Sequence, residues 1–251
     1  MFSKSILGST LVILVGFSLF FLTGQNRDSI ETNSSGIKRN QGSQSEENFS
    51  DRVENFSTQE FDKDLRLSRL IESDIYTNYK DKPGLMKNPK VTSFGETPNI
   101  VDYVMIAKKG LHLDSGDFLF MGSVNIESKT GVKHIMKSDS ILYKKDSEEI
   151  ISQDEVTYFG ENDEMVSDGM HMNPKNNNMQ MTGRTKIYRK TGSEIVTKNL
   201  RIDKTNTQEK YATNESVLYN SQLLKVKSIG MEYDAKSQNL ELFQEVEAVY
   251  E

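Results

Sequence analysis

The second half of the chain copies itself at a fixed spacing, and this repetition restricts the fold more than any other feature. Ser167-Asp168-Gly169-Met170-His171-Met172-Asn173 returns as Ser228-Ile229-Gly230-Met231-Glu232-Tyr233-Asp234, 61 positions later. The same offset pairs Ile141 with Ile202, Val156 with Val217, Met179 with Leu240 and Met181 with Leu242. An earlier copy precedes both: Gly110-Leu111-His112-Leu113-Asp114 aligns with Gly169-Met170-His171-Met172-Asn173, and Val91-Thr92-Ser93-Phe94-Gly95 with Val156-Thr157-Tyr158-Phe159-Gly160. One unit therefore holds about four short strands, and about three units of roughly 60 residues stack.

Within each unit the apolar residues alternate with polar ones, the period of a strand with one buried face. Met170 and Met172 point one way and His171 the other; Phe118, Phe120, Val124 and Ile126 share a parity, as do Leu240, Leu242 and Val246. Connectors such as Asp114-Ser115-Gly116-Asp117 and Asp234-Ala235-Lys236-Ser237-Gln238-Asn239 carry the residues that turns need. The expected fold is all-β: a sandwich, barrel, jellyroll or solenoid. Stacking leaves an open sheet edge at each end, where another chain can add a strand.

Ahead of the repeats, residues 6–24 (ILGSTLVILVGFSLFFLTG) carry no charge. At about 1.5 Å per residue they span roughly 28 Å of helix, enough for a bilayer core. A cleaved signal peptide is the competing reading, but Leu22 is poor at the −3 position of the exit Phe21-Leu22-Thr23-Gly24-Gln25, which favours a retained anchor. Residues 1–5 are then cytoplasmic and the large remainder is exported. Residues 25–57, rich in Ser, Asn, Gln and Glu, read as a flexible tether. Its glycosylation-type triplets, such as Asn33-Ser34-Ser35, arise by chance in such a composition. Residues 58–75 fit a short amphipathic helix through Phe61, Leu65, Leu67, Leu70 and Ile71, or else already enter the first strand. The β-region is taken as 58–251.

Several function classes find no support. The net charge is −6, against the basic surface that nucleic acid selects. There is no Cys, which removes thiolate chemistry, disulfides and lipoprotein acylation. His112, His171 and Glu232 hold equivalent positions on the outer face, so no metal site is expected. Asp and Glu scatter among turns and outer faces with no pair for acid–base work, and no serine sits in a nucleophile elbow. The basic doublets Lys108-Lys109, Lys144-Lys145 and Arg189-Lys190 could touch the phosphates of a ligand, but such doublets are more often solvated edge protection.

The pattern as a whole resembles a known family. It reads Ala107-Lys108-Lys109-Gly110-Leu111-His112-Leu113, then Phe118-Leu119-Phe120-Met121-Gly122-Ser123-Val124-Asn125-Ile126, Lys137-Ser138-Asp139-Ser140-Ile141-Leu142-Tyr143, and Ser152-Gln153-Asp154-Glu155-Val156-Thr157-Tyr158-Phe159-Gly160. With the anchor and tether, it is similar to LptC and to the wider LptA/LptC/OstA-like proteins of lipopolysaccharide export. The resemblance implies a twisted β-jellyroll open along one seam, preceded by one transmembrane helix in the inner membrane, with the jellyroll in the periplasm. It implies no enzyme and no cofactor. Its partners would be lipopolysaccharide, an inner-membrane ABC transporter and an LptA-like bridge protein.

The lipid-binding groove would be lined by Phe118, Phe120, Val124, Ile126, Ile141, Val156, Tyr158, Met170, Met172, Met179, Met181, Ile202, Met231, Tyr233, Leu240 and Leu242. Val246, Ala248 and Tyr250 would form the partner edge, with Glu245, Glu247 and Glu251 discouraging self-pairing. Two departures from the family are a long, low-complexity tether and an extra C-terminal unit. The other reading is an anchored structural or adhesion repeat protein with a closed core; an open apolar cleft would mark the conduit, a filled interior the rod.

Overall fold

The computed structural model describes residues 49–95, 97, 100–174, 178–204 and 208–250. Residues 6–24, with most of the tether, and Glu251 lie outside the described residues, and no described helix is long and apolar enough to cross a membrane.

Among the described residues, sixteen antiparallel strands form one sheet: β1 (Phe49–Phe61), β2 (Leu67–Tyr79), β3 (Gly84–Lys87), β4 (Lys90–Phe94), β5 (Val101–Ile106), β6 (Lys109–His112), β7 (Phe118–Ser128), β8 (Ile135–Tyr143), β9 (Ile150–Ser152), β10 (Val156–Phe159), β11 (Asp163–Asn173), β12 (Asn178–Arg189), β13 (Glu194–Lys204), β14 (Glu209–Asn220), β15 (Leu224–Asp234) and β16 (Asn239–Tyr250). The short strands are halves of interrupted long ones. β4 and β3 lie on the two halves of β2, β5 and β6 on the two halves of β7, and β10 and β9 both lie between β8 and β11. The sheet is therefore an up-and-down meander in chain order, with β1 and β16 as its edges.

This all-β sheet is consistent with a jellyroll, and it corrects three expectations. Residues 49–57, expected as tether, form most of β1. Residues 58–75 form no helix: they run from β1 through a turn into β2. Here β1 and β2 pair along nearly their whole length, which outweighs a weak helical period. Finally, strands such as β7 (11 residues) and β12 (12 residues) are longer than the short strands expected. They are bent. The ladder slips between Met121 and Val124, Ser167 and Gly169, Met181 and Arg184, Val196 and Arg201, Thr213 and Ser216, and Lys227 and Ile229.

An inserted residue bends and twists its strand. Gly122 and Gly183, one repeat apart, sit at two of these bends with φ of 80° and 71°, where a side chain is strained. A bend also frees carbonyl groups from the ladder, and buried hydroxyls meet them. Ser167 donates to Thr182 O (3.0 Å), Thr197 to Ser216 O (3.0 Å) and Thr213 to Lys198 O (2.8 Å).

Repeated bending along the long strands folds the sheet over on itself. Asp163 and Arg189 pair at one end of the β11–β12 ladder, while the opposite strand ends carry the ladder Asn178–Asp203, Asp203–Lys210 and Lys210–Asp234. Yet Asp163 touches Tyr233 beside Asp234, and Asn162 reaches Ala235. The two sets of strand ends meet along a seam, and the apolar face is enclosed between the two halves.

Candidate functional site

Alternation delivers the interior. Phe118, Phe120, Val124, Ile126, Ile141, Val156, Tyr158, Met170, Met172, Met179, Met181, Ile202, Met231 and Tyr233 all belong to one buried apolar cluster, and Leu240 and Leu242 pack against it partly buried. Met86, Met136 and Met165 join the cluster, adding flexible thioethers that fit irregular shapes. The columns are packed, not open: Phe120 is 1 % exposed and Met181 and Met231 are 0 % exposed. The expected open cleft is thus closed along these columns, because bends at successive rungs bring both halves of the sheet into contact. Val246, Ala248 and Tyr250 stand exposed on edge strand β16.

The seam is bridged by polar and aromatic side chains. Toward the C-terminal end, Asn162 Nδ2 donates to Ala235 O (3.0 Å), and Arg189 donates to Gln238 O (2.9 Å) while its guanidinium lies 4.6 Å from the centre of the Tyr233 ring. The Tyr233 hydroxyl donates to Asp163 Oδ1 (3.2 Å). Midway, Glu209, 2 % exposed, accepts hydrogen bonds from the hydroxyls of Tyr158 and Tyr211, the latter at 2.8 Å. Lys204 Nζ lies 3.9 Å from Glu209 Oε1 and 4.7 Å from the centre of the Tyr158 ring. On the N-terminal side, Arg69 pairs with Glu60 (2.9 Å) and Glu148 (3.6 Å) and covers the Tyr143 ring.

These contacts correct two expectations. Acidic residues are not confined to turns and outer faces, since Asp163 and Glu209 are buried. Nor is Arg189 a solvated doublet member: it bridges the seam. His112 and His171 are partly buried near the surface, and among the described residues no cluster suits a metal ion.

The seam charges had a signal that went unread. Glu209 is in phase with inward Tyr211 and Thr213, Lys204 with inward Ile202 and Leu200, and Asp163 with inward Met165 and Ser167. A charge in phase with an apolar column at a strand end marks a position where the column runs out into a seam. His134, beside strand β8, stacks on Tyr158 (5.5 Å between centroids) and meets Tyr103 edge-on (5.9 Å).

Burial governs the ionisation of this cluster. It pushes Lys204 down to about 7, with Glu209 pulling the other way. It pushes Asp163 up to about 6, against the Tyr233 hydrogen bond and the Arg189 charge. It holds the Tyr158 and Tyr211 hydroxyls well above the usual tyrosine range, helped by the adjacent Glu209 carboxylate. His134 is driven to about 3, first by burial and then by the Lys204 charge.

A folded value below the ordinary 6.5 means that the neutral His134 ring stabilises the fold fully above pH 6.5, and that this stability is lost as pH falls toward 3. Asp163, raised from 3.8, acts in the opposite sense: its contribution grows as pH falls through about 6. A His134→Phe variant should therefore gain on the parent by roughly 2–3 kcal/mol between pH 6.5 and 4.5, at about 1.4 kcal/mol per unit. Urea melts across that range check it; parallel profiles would show that His134 takes up its proton in the folded chain as it does in the unfolded one, with no lowered value.

Between the Arg69 and Lys204 bridges the seam is unzipped, leaving a cavity of about 710 Å³. One wall comes from the β1–β2, β4–β5 and β7–β8 turns, including Lys63, Arg66, Tyr103 and His134; the other includes Glu148, Pro174 and Lys204. The acids at its rim have partners: Asp62 and Asp64 with Arg66 (2.8 and 3.3 Å), Glu148 with Arg69, and Asp102 with the Thr130 hydroxyl (2.8 Å).

An antiparallel sheet folded over an apolar interior, with hydroxyls at its bends and charged side chains along a seam, defines a β-jellyroll-like scaffold. The family model for lipopolysaccharide-assembly, LptC-related proteins matches residues 11–190 and again 172–251. The chain belongs to the LptC family, a component of lipopolysaccharide transport that is associated with the inner membrane and is not known as an enzyme. The second match falls on the C-terminal repeat. Among curated proteins, none matches the chain.

Proposed function

We propose that this chain is the membrane-anchored member of a lipopolysaccharide export bridge, which takes lipid A acyl chains from an inner-membrane ABC transporter and passes them to an LptA-like jellyroll. What supports the reading is the match to the LptC family model, with the continuous apolar interior from β2 to β16 as the lining. Residues 6–24 hold the protein at the inner membrane, and the β-region stands in the periplasm. Exposing a 14-carbon chain to water costs on the order of 10 kcal/mol, so such a lipid needs an apolar path. Because the lining columns are packed, loading requires the seam to part and the methionines to repack. Edge strand β16, through Val246, Ala248 and Tyr250, pairs with the next bridge component.

Photoreactive residues at Phe120 and Met181 should label lipopolysaccharide in cells, while one at exposed Lys109 should not. The chain has no cysteine, so an Asn162→Cys/Ala235→Cys pair supplies a unique staple across the seam. Oxidation should suppress labelling from Met181 and a reductant should restore it. Undiminished labelling in the stapled protein would rule out entry through that part of the seam. Absence of labelling from either interior position would favour the second reading, a closed-core structural repeat, which the packed columns support on geometry.

A further inference from the structure

Two of the side chains that hold the C-terminal half of the seam belong with each other. Asp163 and Arg189 stand opposite one another on β11 and β12. Opposite residues of an antiparallel ladder carry their side chains on one face, with Cβ atoms about 5 Å apart. A carboxylate and a guanidinium so placed ordinarily join in a short, charge-assisted pair.

In the shut seam both reach away instead. Arg189 gives Nη2 to the Gln238 carbonyl (2.9 Å) and lays its guanidinium over the Tyr233 ring, while Asp163 accepts from the Tyr233 hydroxyl (3.2 Å). Each leaves one polar atom buried and without a hydrogen bond, Asp163 Oδ2 and Arg189 Nε. An ionised carboxylate with a bare buried oxygen is costly. The protonated acid carries no charge and still has an oxygen to accept from Tyr233. The shut seam therefore favours the acid with its proton, and a parted seam favours the carboxylate, which there meets water and Arg189.

We propose that Asp163 and Arg189 form a two-position clasp: each is committed across the seam while it is shut, and they turn to each other when it parts, so that loss of the Asp163 proton releases the C-terminal half of the seam. This rests on the parting of the seam that the transport reading requires, and adds what controls it.

The groups around Asp163 set the range in which the clasp works. Arg189 on β12 and Lys190 in the turn after it favour the charge, and Glu209 on β14 opposes it. Tyr158 on β10, Tyr211 on β14 and Tyr233 on β15 stay neutral, held above the usual tyrosine range by burial. Burial outweighs the cations and lifts Asp163 to about 6. An acid raised from 3.8 in the shut form stabilises that form fully below 3.8, and this advantage is lost as pH rises through about 6. Between pH 5 and 7 the two values raise the ratio of parted to shut seam about tenfold.

The chain has no cysteine, so spin labels on Glu161→Cys and Ser237→Cys, two exposed positions flanking the clasp, report its state in the purified full-length chain in detergent, without lipid. Pulsed dipolar distance measurements should show a short and a longer separation. The longer-to-short ratio should rise about tenfold more from pH 5 to 7 in the parent than in Asp163→Asn, which cannot ionise. His134 is present in both proteins, so its own titration cancels in the comparison. Tyr233→Phe keeps the ring under Arg189 and removes only the hydroxyl that Asp163 accepts from; it should raise the longer population above the parent's at pH 5.

Equal pH dependence in the parent and Asp163→Asn would overturn the clasp. So would a single short separation in the parent at both pH values, or a Tyr233→Phe ratio equal to the parent's at pH 5, the measurement that decides if Asp163→Asn folds poorly. None of these outcomes involves lipid, so each leaves the transport reading to the photolabelling from Phe120 and Met181.

Discussion

Glu209→Ala should destabilise the β-region by about 3–5 kcal/mol, the range for removing one partner from a buried charged pair. The carboxylate accepts from the Tyr158 and Tyr211 hydroxyls and is the ion partner of Lys204, all of them deep in the seam. Its loss leaves two buried hydroxyls without their acceptor and the Lys204 amine without its counter-charge. A Glu209→Gln change keeps one acceptor oxygen and should cost far less. Adding Lys204→Met to Glu209→Ala should recover much of the loss, because the uncompensated charge is then gone. Urea unfolding of the three variants decides the matter. A loss below about 1 kcal/mol for Glu209→Ala would mean that the seam cluster is solvated and does not hold the two halves of the sheet together.

Removal of residues 245–251, or proline at Val246 or Ala248, should abolish association with the next bridge component. In the meander β16 is the last rung, paired only with β15, and its outer side is free of any described strand. Val246, Val249 and Tyr250 are 51 %, 61 % and 80 % exposed on it. Such an edge offers unpaired backbone groups to an incoming strand, and Glu245 and Glu247 oppose pairing with a second copy of itself. Proline removes a ladder donor and distorts the strand. Copurification with the bridge protein should fall by at least about tenfold, while association with the transporter persists, because the truncation leaves the anchor, residues 6–24, in place. Normal copurification by the truncated chain would place the handover surface elsewhere.

The two experiments probe different layers of the fold. The edge depends on local sequence, and its loss should leave the seam intact. The seam depends on residues far apart in the chain, and its loss should act on stability before it acts on any partner.

Much was legible in the residues alone. The 61-residue offset and the alternation of Phe118, Phe120, Met179, Met181, Leu240 and Leu242 fix an all-β chain and which side chains face inward, because strand period is a local property of the backbone. Family membership followed from the same repeated pattern. What the alternation could not supply is the fold-over. The bends at Gly122, Gly183 and their equivalents displace a ladder by one residue, a change too small to show in hydrophobic spacing. Only after bending do Tyr158 and Glu209, or Asp163 and Tyr233, come together, and only then does a charged residue at a strand end become buried. The same holds for residues 49–57, polar enough to pass for a tether, which become strand β1 because β2 offers them a paired edge. The sequence determined the strands, their inward columns and the repeat; the tertiary structure alone decided that the interior is packed, that a seam runs along it, and that Lys204 and Glu209 meet there, because contacts between distant strand ends exist only once the sheet has closed.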